Sequence, residues 1–411
     1  MSQKRKWFTI LLFFLLCLSP ADTSPVLARP QALIQVTTTV DAINQDGTCS
    51  LREAILAANT DTQVDACQAG SGDDAIHLPA GLFYLTLTGP VEDDGLTGDL
   101  DIKSNINIYG SGITQTLIDG AGSDRVFHIA SSVTVNMYNL TIQGGKTPTG
   151  SVEGRGGGIL NVDGILTLNR VKILSNVADW TGGGIDNTYG TLTLSEVIIA
   201  ENRADMGGGV NNSRYLLASR SLITANQASI TGGGIDNNSG GRVSLFNLTL
   251  SGNIVTEGNG GGIYTDNPIQ LANVSIVQNF PNGLFEEFSV RMVNTLFAKN
   301  GDANCAGDSV PDSEGNNLSD DASCGSSGFI VVPSAQIDDL ADNGGPTFTY
   351  LLLPGSPAID AGNDASCPPQ DQRGAIRPAD GDGDGLAVCD IGALELNAVF
   401  TDLYLPVILR Y

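Results

Sequence analysis

Histidine is almost missing from this chain: His77 and His128 are the only two in 411 residues, and neither lies in the part that repeats. Acid–base work by imidazole is therefore excluded from the repeat. Cations are scarce as well, with 20 Lys and Arg against 45 Asp and Glu and a net charge of −25. Such an acidic body is a poor partner for nucleic acid or anionic lipid. Long apolar runs are short in supply: residues 7–18 and 398–411 are the candidates, and each falls below the ~20 residues that a membrane span needs. The first follows Lys4-Arg5-Lys6 and precedes a small-residue exit at Val26-Leu27-Ala28, the pattern of a secretory signal peptide over 1–28. Its removal takes away three positive charges and one negative, so −25 becomes −27. No helical periodicity of useful length occurs in the middle of the chain, which excludes helical repeats.

What is there instead is a glycine box that returns. Gly156-Gly157-Gly158-Ile159 recurs as Gly182-Gly183-Gly184-Ile185, Gly207-Gly208-Gly209-Val210, Gly232-Gly233-Gly234-Ile235 and Gly260-Gly261-Gly262-Ile263. A period of this length marks a solenoid. An alternating strand follows each box (Leu166-Thr167-Leu168, Leu192-Thr193-Leu194, Val243-Ser244-Leu245, Ile269-Gln270-Leu271), and a second strand ends at Asn176, Asn202, Asn226, Asn253 or Asn279. Glycine supplies corners with φ > 0 or close backbone approach, and asparagine tolerates the left-handed corner. A coil that cannot bury its apolar side alone stacks on the next at about 4.8 Å, and stacked Asn amides form a ladder. The expected fold is all-β, a single-stranded right-handed parallel β-helix of the pectin-lyase-like kind. In this register Ile185 points inward and Thr188 lies on an exposed turn.

Six cysteines remain after the signal peptide, an even number suited to an oxidising compartment. They fall as near neighbours outside the glycine-box array, predicting Cys49–Cys67, Cys305–Cys324 and Cys367–Cys389. Ser50-Leu51-Arg52-Glu53 has the spacing of a capping box. A short amphipathic helix with Leu51, Ile55 and Ala58 on one face would cover the first coil. The expected organisation is a signal peptide over 1–28, an N-terminal cap over 29–74, the β-helix over 75–300, a stapled C-terminal region over 301–397 and an apolar tail over 398–411. Segment 301–328 reads as a polar excursion, and 329–395 as a compact cap that partly continues the coil.

Cys49-Ser50-Leu51-Arg52-Glu53-Ala54, preceded by Thr39-Val40-Asp41, resembles the CSLREA signature of bacterial secreted proteins. The glycine boxes with their later asparagines resemble the repeats of polymorphic outer-membrane proteins, with Gly in place of Ala. Asn343-Gly344-Gly345-Pro346-Thr347, Ser356-Pro357-Ala358-Ile359-Asp360, Asp371-Gln372-Arg373-Gly374 and Cys389-Asp390-Ile391-Gly392-Ala393 look like a choice-of-anchor Q domain. The resemblance implies a secreted, surface-associated β-helix, generally without an assigned enzymatic activity. No LPxTG-like anchor accompanies it.

Three places carry candidate chemistry. Asp380, Asp382 and Asp384 alternate with glycine like the opening of a calcium loop, with Asp390 near the closing position; a solvated acidic turn is the other reading. Asp186 and Asp236 follow their glycine boxes two coils apart, about 9.6 Å at the stacking distance, near the upper limit for an inverting glycosidase pair. Trp180 and Tyr189 lie close in sequence and suit stacking on sugar. Asn161 and Asn211 take the equivalent place in other coils, however, which favours a turn residue. The motif set of polygalacturonases and the basic cluster of pectate lyases are both absent. The expectation is a monomeric, non-catalytic surface module for adhesion, glycan binding or envelope structure, with extracellular polysaccharide or cell-envelope components as partners. The alternative is a polysaccharide lyase or hydrolase. The segments 146–155, 178–181, 203–206, 228–231 and 255–259 should line one edge as loops and offer the ligand surface.

Overall fold

The computed structural model describes residues 31–89, 92–148, 154–308 and 311–400. The expected signal peptide, most of the apolar tail and the tip of segment 146–155 lie outside the described residues.

A central coil shows how the repeat closes. Ile185–Thr188, Thr191–Ser195, Ile198–Ala200 and Arg203–Met206 form its sides. Single left-handed residues make its corners at Tyr189, Glu196 and Glu201, with φ of 59°, 57° and 59°. Gly182 opens the coil with φ 66°. A Cβ on Gly183 would lie 2.5 Å from the Gly208 carbonyl of the next coil, and one on Gly184 2.6 Å from that of Gly209. The first glycine is needed for its φ and the other two because the coils touch there. Every coil pairs in parallel with the next. Ile159, Ile185, Val210, Ile235 and Ile263 stack in one column, and Leu166, Leu192, Leu216, Val243 and Ile269 in another. Both columns are essentially closed to water. This is the right-handed parallel β-helix that the repeat predicts.

The asparagine ladder is present. Asn176 donates its Nδ2 to Asn202 Oδ1 (3.0 Å), and the chain of donors continues through Asn226, Asn253, Asn279 and Asn300 at 2.9–3.1 Å. Each Oδ1 also accepts the preceding asparagine's backbone N–H, so one side chain satisfies a corner in two coils at once. A second ladder was not anticipated: Asn161, Asn187, Asn212 and Asn237 donate in turn, ending on Thr265 Oγ1, at 2.7–2.9 Å.

Both ends extend further than the sequence reading placed them. Leu33–Gln35 already pairs with Asp74–His77, so the coils begin inside the expected cap. Nor does the ladder stop at residue 300. Ala303–Gly307 pairs with Asn282–Glu286, Asn317–Ser319 with Leu296–Ala298, and Phe329–Val331 with Asn317–Ser319. Segment 301–328 is thus coil, not excursion. It reads as polar because so few inward positions, such as Cys305 and Cys324, carry it. The C-terminal region then turns back along the side of the coils. Its antiparallel pair Ile337–Ala341 and Thr349–Leu352 brings Ile337, Tyr350 and Leu352 onto Val277, Leu296 and Ala298, which would otherwise face solvent.

All three disulfides join the expected partners, with Cα separations of 4.8, 4.8 and 6.3 Å. The helix Leu51–Thr60 carries the full capping box: Ser50 Oγ accepts from Glu53 N–H, and Glu53 Oε2 accepts from Ser50 N–H. Leu51, Ile55 and Ala58 are buried over the first coil. Arg52 is buried too and reaches Asp41 with two bonds, Nε to Oδ1 at 2.7 Å and Nη2 to Oδ2 at 3.2 Å. Its remaining N–H groups donate to the carbonyls of Gly95, Gly98 and Asp99 at 2.8–3.0 Å. No described helix is long and apolar enough to cross a membrane.

Candidate functional site

The outward side of the strands that follow the glycine boxes forms a straight row. Register pairs Leu160 with Asp186, then Asn211, Asp236, Tyr264 and Phe285. Asp186 and Asp236 therefore share a column with Asn211 between them, as the spacing predicts. Asn161 does not belong there. Leu160 takes that position, and Asn161 points inward as the first rung of the second ladder, because one residue along a strand reverses the face.

A groove of about 440 Å³ runs over this row. Trp180 and Met206 stand on one rim, Tyr189, Ser213 and Ser239 on the other, and Asn211, Asp236 and Tyr264 reach its floor. Trp180 and Tyr189, 49% and 60% exposed, leave ring surface open to a ligand. The sequence reading named both aromatics but missed Arg155, Tyr264 and Asp266. Tyr264 was legible as the residue after the last box's isoleucine. Arg155 and Asp266 arrive from corners of neighbouring coils, where no spacing rule points.

Of the expected edge loops, 178–181 and 256–259 are irregular, but 203–206 and 228–231 are strands. Arg203–Met206, Gln227–Thr231 and Ile254–Val255 form a short parallel sheet of their own, with a shift of register inside it. They do line one edge, and they bring Trp180, Met206 and Thr231 to the groove. Thr188 is likewise not a free turn residue: its hydroxyl donates to Asp186 Oδ1 at 2.5 Å and accepts from Arg155 Nη1 at 3.4 Å.

Both aspartates are buried, 0% and 1% exposed, but only Asp236 lines the groove. Asp186 is fully buried; besides Thr188, the Thr181 hydroxyl (2.5 Å) and Asn211 Nδ2 (3.0 Å) both donate to its Oδ2. Burial pushes its carboxyl above the usual range, against the pull of these donors and of Arg155. It does not line the groove, so the pair is not available as facing acid and base. Asp236 accepts from Thr231 and from Asn238 Nδ2 (2.6 Å). Burial raises it to about 6, opposed by those two bonds and helped by the charges of Asp266 and Asp186.

The calcium candidates divide. Asp380 and Asp382 come together, but the third carboxylate within 4.8 Å is Asp360. Asp384 and Asp390 stand outside the cluster. Asp390 is buried, its two oxygens accepting the N–H groups of Asp360 (2.7 Å) and Leu396 (2.5 Å), and it holds the C-terminal region together.

The polar residues of the C-terminal motifs are spent in the same way. Gln372 is buried, accepting from Thr249 of the coils (2.7 Å) and donating to Thr347 Oγ1 and the Phe348 carbonyl. Buried Arg377 donates to the Gly392 carbonyl at 2.8 Å and lies 3.6 Å from Glu395. Burial raises Glu395 to about 7 and Asp390 to about 6, against the attraction of Arg377. These carboxyls and Asp236 bind protons more tightly folded than unfolded. Their contribution to stability is complete below the unfolded range near pH 4 and is lost as pH rises through about 6–7. The melting temperature at constant ionic strength should therefore be several degrees higher at pH 5 than at pH 8, and a fall on acidification over that range would contradict the assignment.

Comparison with known proteins speaks to the fold. The crystal structure of the pectate lyase Pel9A is similar with a TM-score of 0.55, over 90% of this chain and 98% of that one, at 14% identity. The fold is pectate-lyase-like. At this identity the likeness extends no further than the fold. A Geobacillus virus E2 ORF18 chain aligns over 59% of this chain and 54% of its own at 14% identity, with a TM-score of 0.25. No family model and no curated protein matches the sequence.

Proposed function

We propose that this is a secreted, non-catalytic β-helix that contacts carbohydrate through the groove between Trp180 and Tyr189. The carrying observation is the placement of two exposed aromatic rings on opposite rims of one groove with an Asn–Asp–Tyr floor. Such a site pairs apolar ring faces with hydrogen-bonding groups for hydroxyls. The burial of Asp186 and the saturation of its oxygens favour binding over hydrolysis. Three disulfides support export to an oxidising compartment. The meeting of Asp41 with Arg52, one from each half of the N-terminal signature, supports placing the chain with CSLREA proteins, as a monomer facing extracellular polysaccharide or the cell envelope.

The raised carboxyl of Asp236 favours a second reading, in which it acts as the general acid of a hydrolase. One set of variants separates the two. Trp180→Ala and Tyr189→Ala should each weaken binding to a polysaccharide selected on a glycan array by about tenfold, with unchanged melting temperature. Asp236→Asn should keep fold and binding, and the wild type should release no reducing sugar from pectin, alginate or xylan. Turnover in the wild type that disappears in Asp236→Asn would establish the hydrolase instead.

A further inference from the structure

We propose that Asp93, Asp101 and His128 form a zinc-binding site on the N-terminal coils, separate from the groove and from the acidic turn at 380–384. Asp101 and His128 are neighbours across strands: Leu100–Ile102 pairs with Phe127–Ile129 and sets the two residues side by side. They belong to the same row that continues through Leu160 to Asp186. His128 Nδ1 lies 3.0 Å from Asp101 Oδ1 and 3.6 Å from Asp93 Oδ1, and the three atoms fall within 4.8 Å of one another.

A hydrogen bond accounts for only part of this. Nδ1 carries at most one proton, and 3.6 Å is beyond bonding reach, so the imidazole explains the place of Asp101 but not that of Asp93. Neither carboxylate forms an ion pair with Arg or Lys among the described residues, and Lys103 close by is held by Asp94 at 2.8 Å. Two carboxylates and an imidazole thus converge with no cation between them.

The ligand set and its spacing select the ion. Zinc binds imidazole nitrogen and carboxylate oxygen at about 2.1 Å, which places tetrahedral ligands about 3.4 Å apart, between the two distances found here. Calcium and magnesium favour oxygen alone, so a nitrogen ligand discriminates against them. The three side chains are graded in access: Asp101 is 2% exposed, His128 20% and Asp93 75%. The inner two make a fixed wall, and the outer side admits the ion and leaves a position for water.

The residues behind the ligands hold them in place, as a metal site needs. Asp101 Oδ2 accepts the Gly95 N–H at 2.8 Å, and the Gly95 carbonyl accepts from buried Arg52. Glu92 accepts the N–H groups of Asp94, Leu96 and Thr97 at 2.7–2.8 Å, which pins the loop that carries Asp93. The site therefore stands on a strand pair and a tied loop.

Titration of the metal-stripped protein with zinc, in competition with a chromophoric chelator, tests this. One zinc ion per chain should bind with a dissociation constant of about 1 μM or tighter. Calcium and magnesium should bind at least about a hundredfold more weakly. His128→Leu, which introduces the side chain that Leu160 supplies at the same place in the next coil, should lower zinc affinity by about a hundredfold or more. Asp93→Ala, on a side chain open to solvent, should keep the fold and lower affinity by about tenfold or more; it decides the matter where His128→Leu does not fold. Absence of zinc binding, calcium binding as tight as zinc, or wild-type affinity in a folded variant would each overturn the proposal.

Discussion

Ile185→Asp should prevent the chain from folding, with a loss above about 5 kcal/mol. Ile185 sits fully buried between Ile159 and Val210 of the adjacent coils. A carboxylate there has no donor within the apolar column and no route to water. The coils above and below lose their contact as well, because each covers only its neighbours. Thr193→Asp in the same coil is the proper control, since Thr193 lies on the outward side of a strand and is only part-buried. It should change stability by no more than about 0.5 kcal/mol. Thr188, which looks like an exposed turn in the sequence, cannot be that control: a second carboxylate would displace the hydroxyl that holds Asp186. Equal effects at Ile185 and Thr193 in denaturant melts would refute the register.

Arg52→Met should cost about 3–5 kcal/mol, measured as a lowered unfolding midpoint. The substitution leaves the Asp41 carboxylate, whose side chain is 3% exposed, without its cation. It also strips three carbonyls, of Gly95, Gly98 and Asp99, of their donor. Asp41 retains the backbone N–H groups of Thr86 and Leu87, so the loss is partial for that residue and complete for the carbonyls. The double variant Asp41→Asn, Arg52→Met should recover part of the stability, because the stranded charge is gone. A midpoint for Arg52→Met equal to wild type would mean that the helix alone, and not this knot, closes the end of the coils.

The solenoid was legible because its constraints are local and repeated. Each glycine box needs one positive φ and two close approaches, and each corner asparagine serves the coil beside it, so every period restates the rule. The disulfides were legible for a related reason: each joins cysteines within one turn of chain. The capping box at Ser50 and Glu53 is wholly local. By contrast, the spacing alone puts Asn161 in the column of Asp186, although it belongs to the inner ladder. A strand reverses its face with every residue, and an Asx on either face looks the same in a string of letters.

Read alone, then, the chain specifies the coil, its corner residues and its staples, all of which depend on neighbours within about one period. Only the folded molecule decided which polar residues remain open to a ligand. Arg52, Gln372 and Asp390 come from the most distinctive motifs, yet they are buried ties between segments up to 123 residues apart. Trp180 and Tyr189 flank one strand, but Tyr264 lies three coils on and joins them in one groove only because stacking brings coils within about 5 Å. The same holds for Thr249 and Gln372, which meet because the C-terminal region folds back along the side. Contacts between distant segments are set by packing of whole surfaces, and no spacing within a single period encodes them.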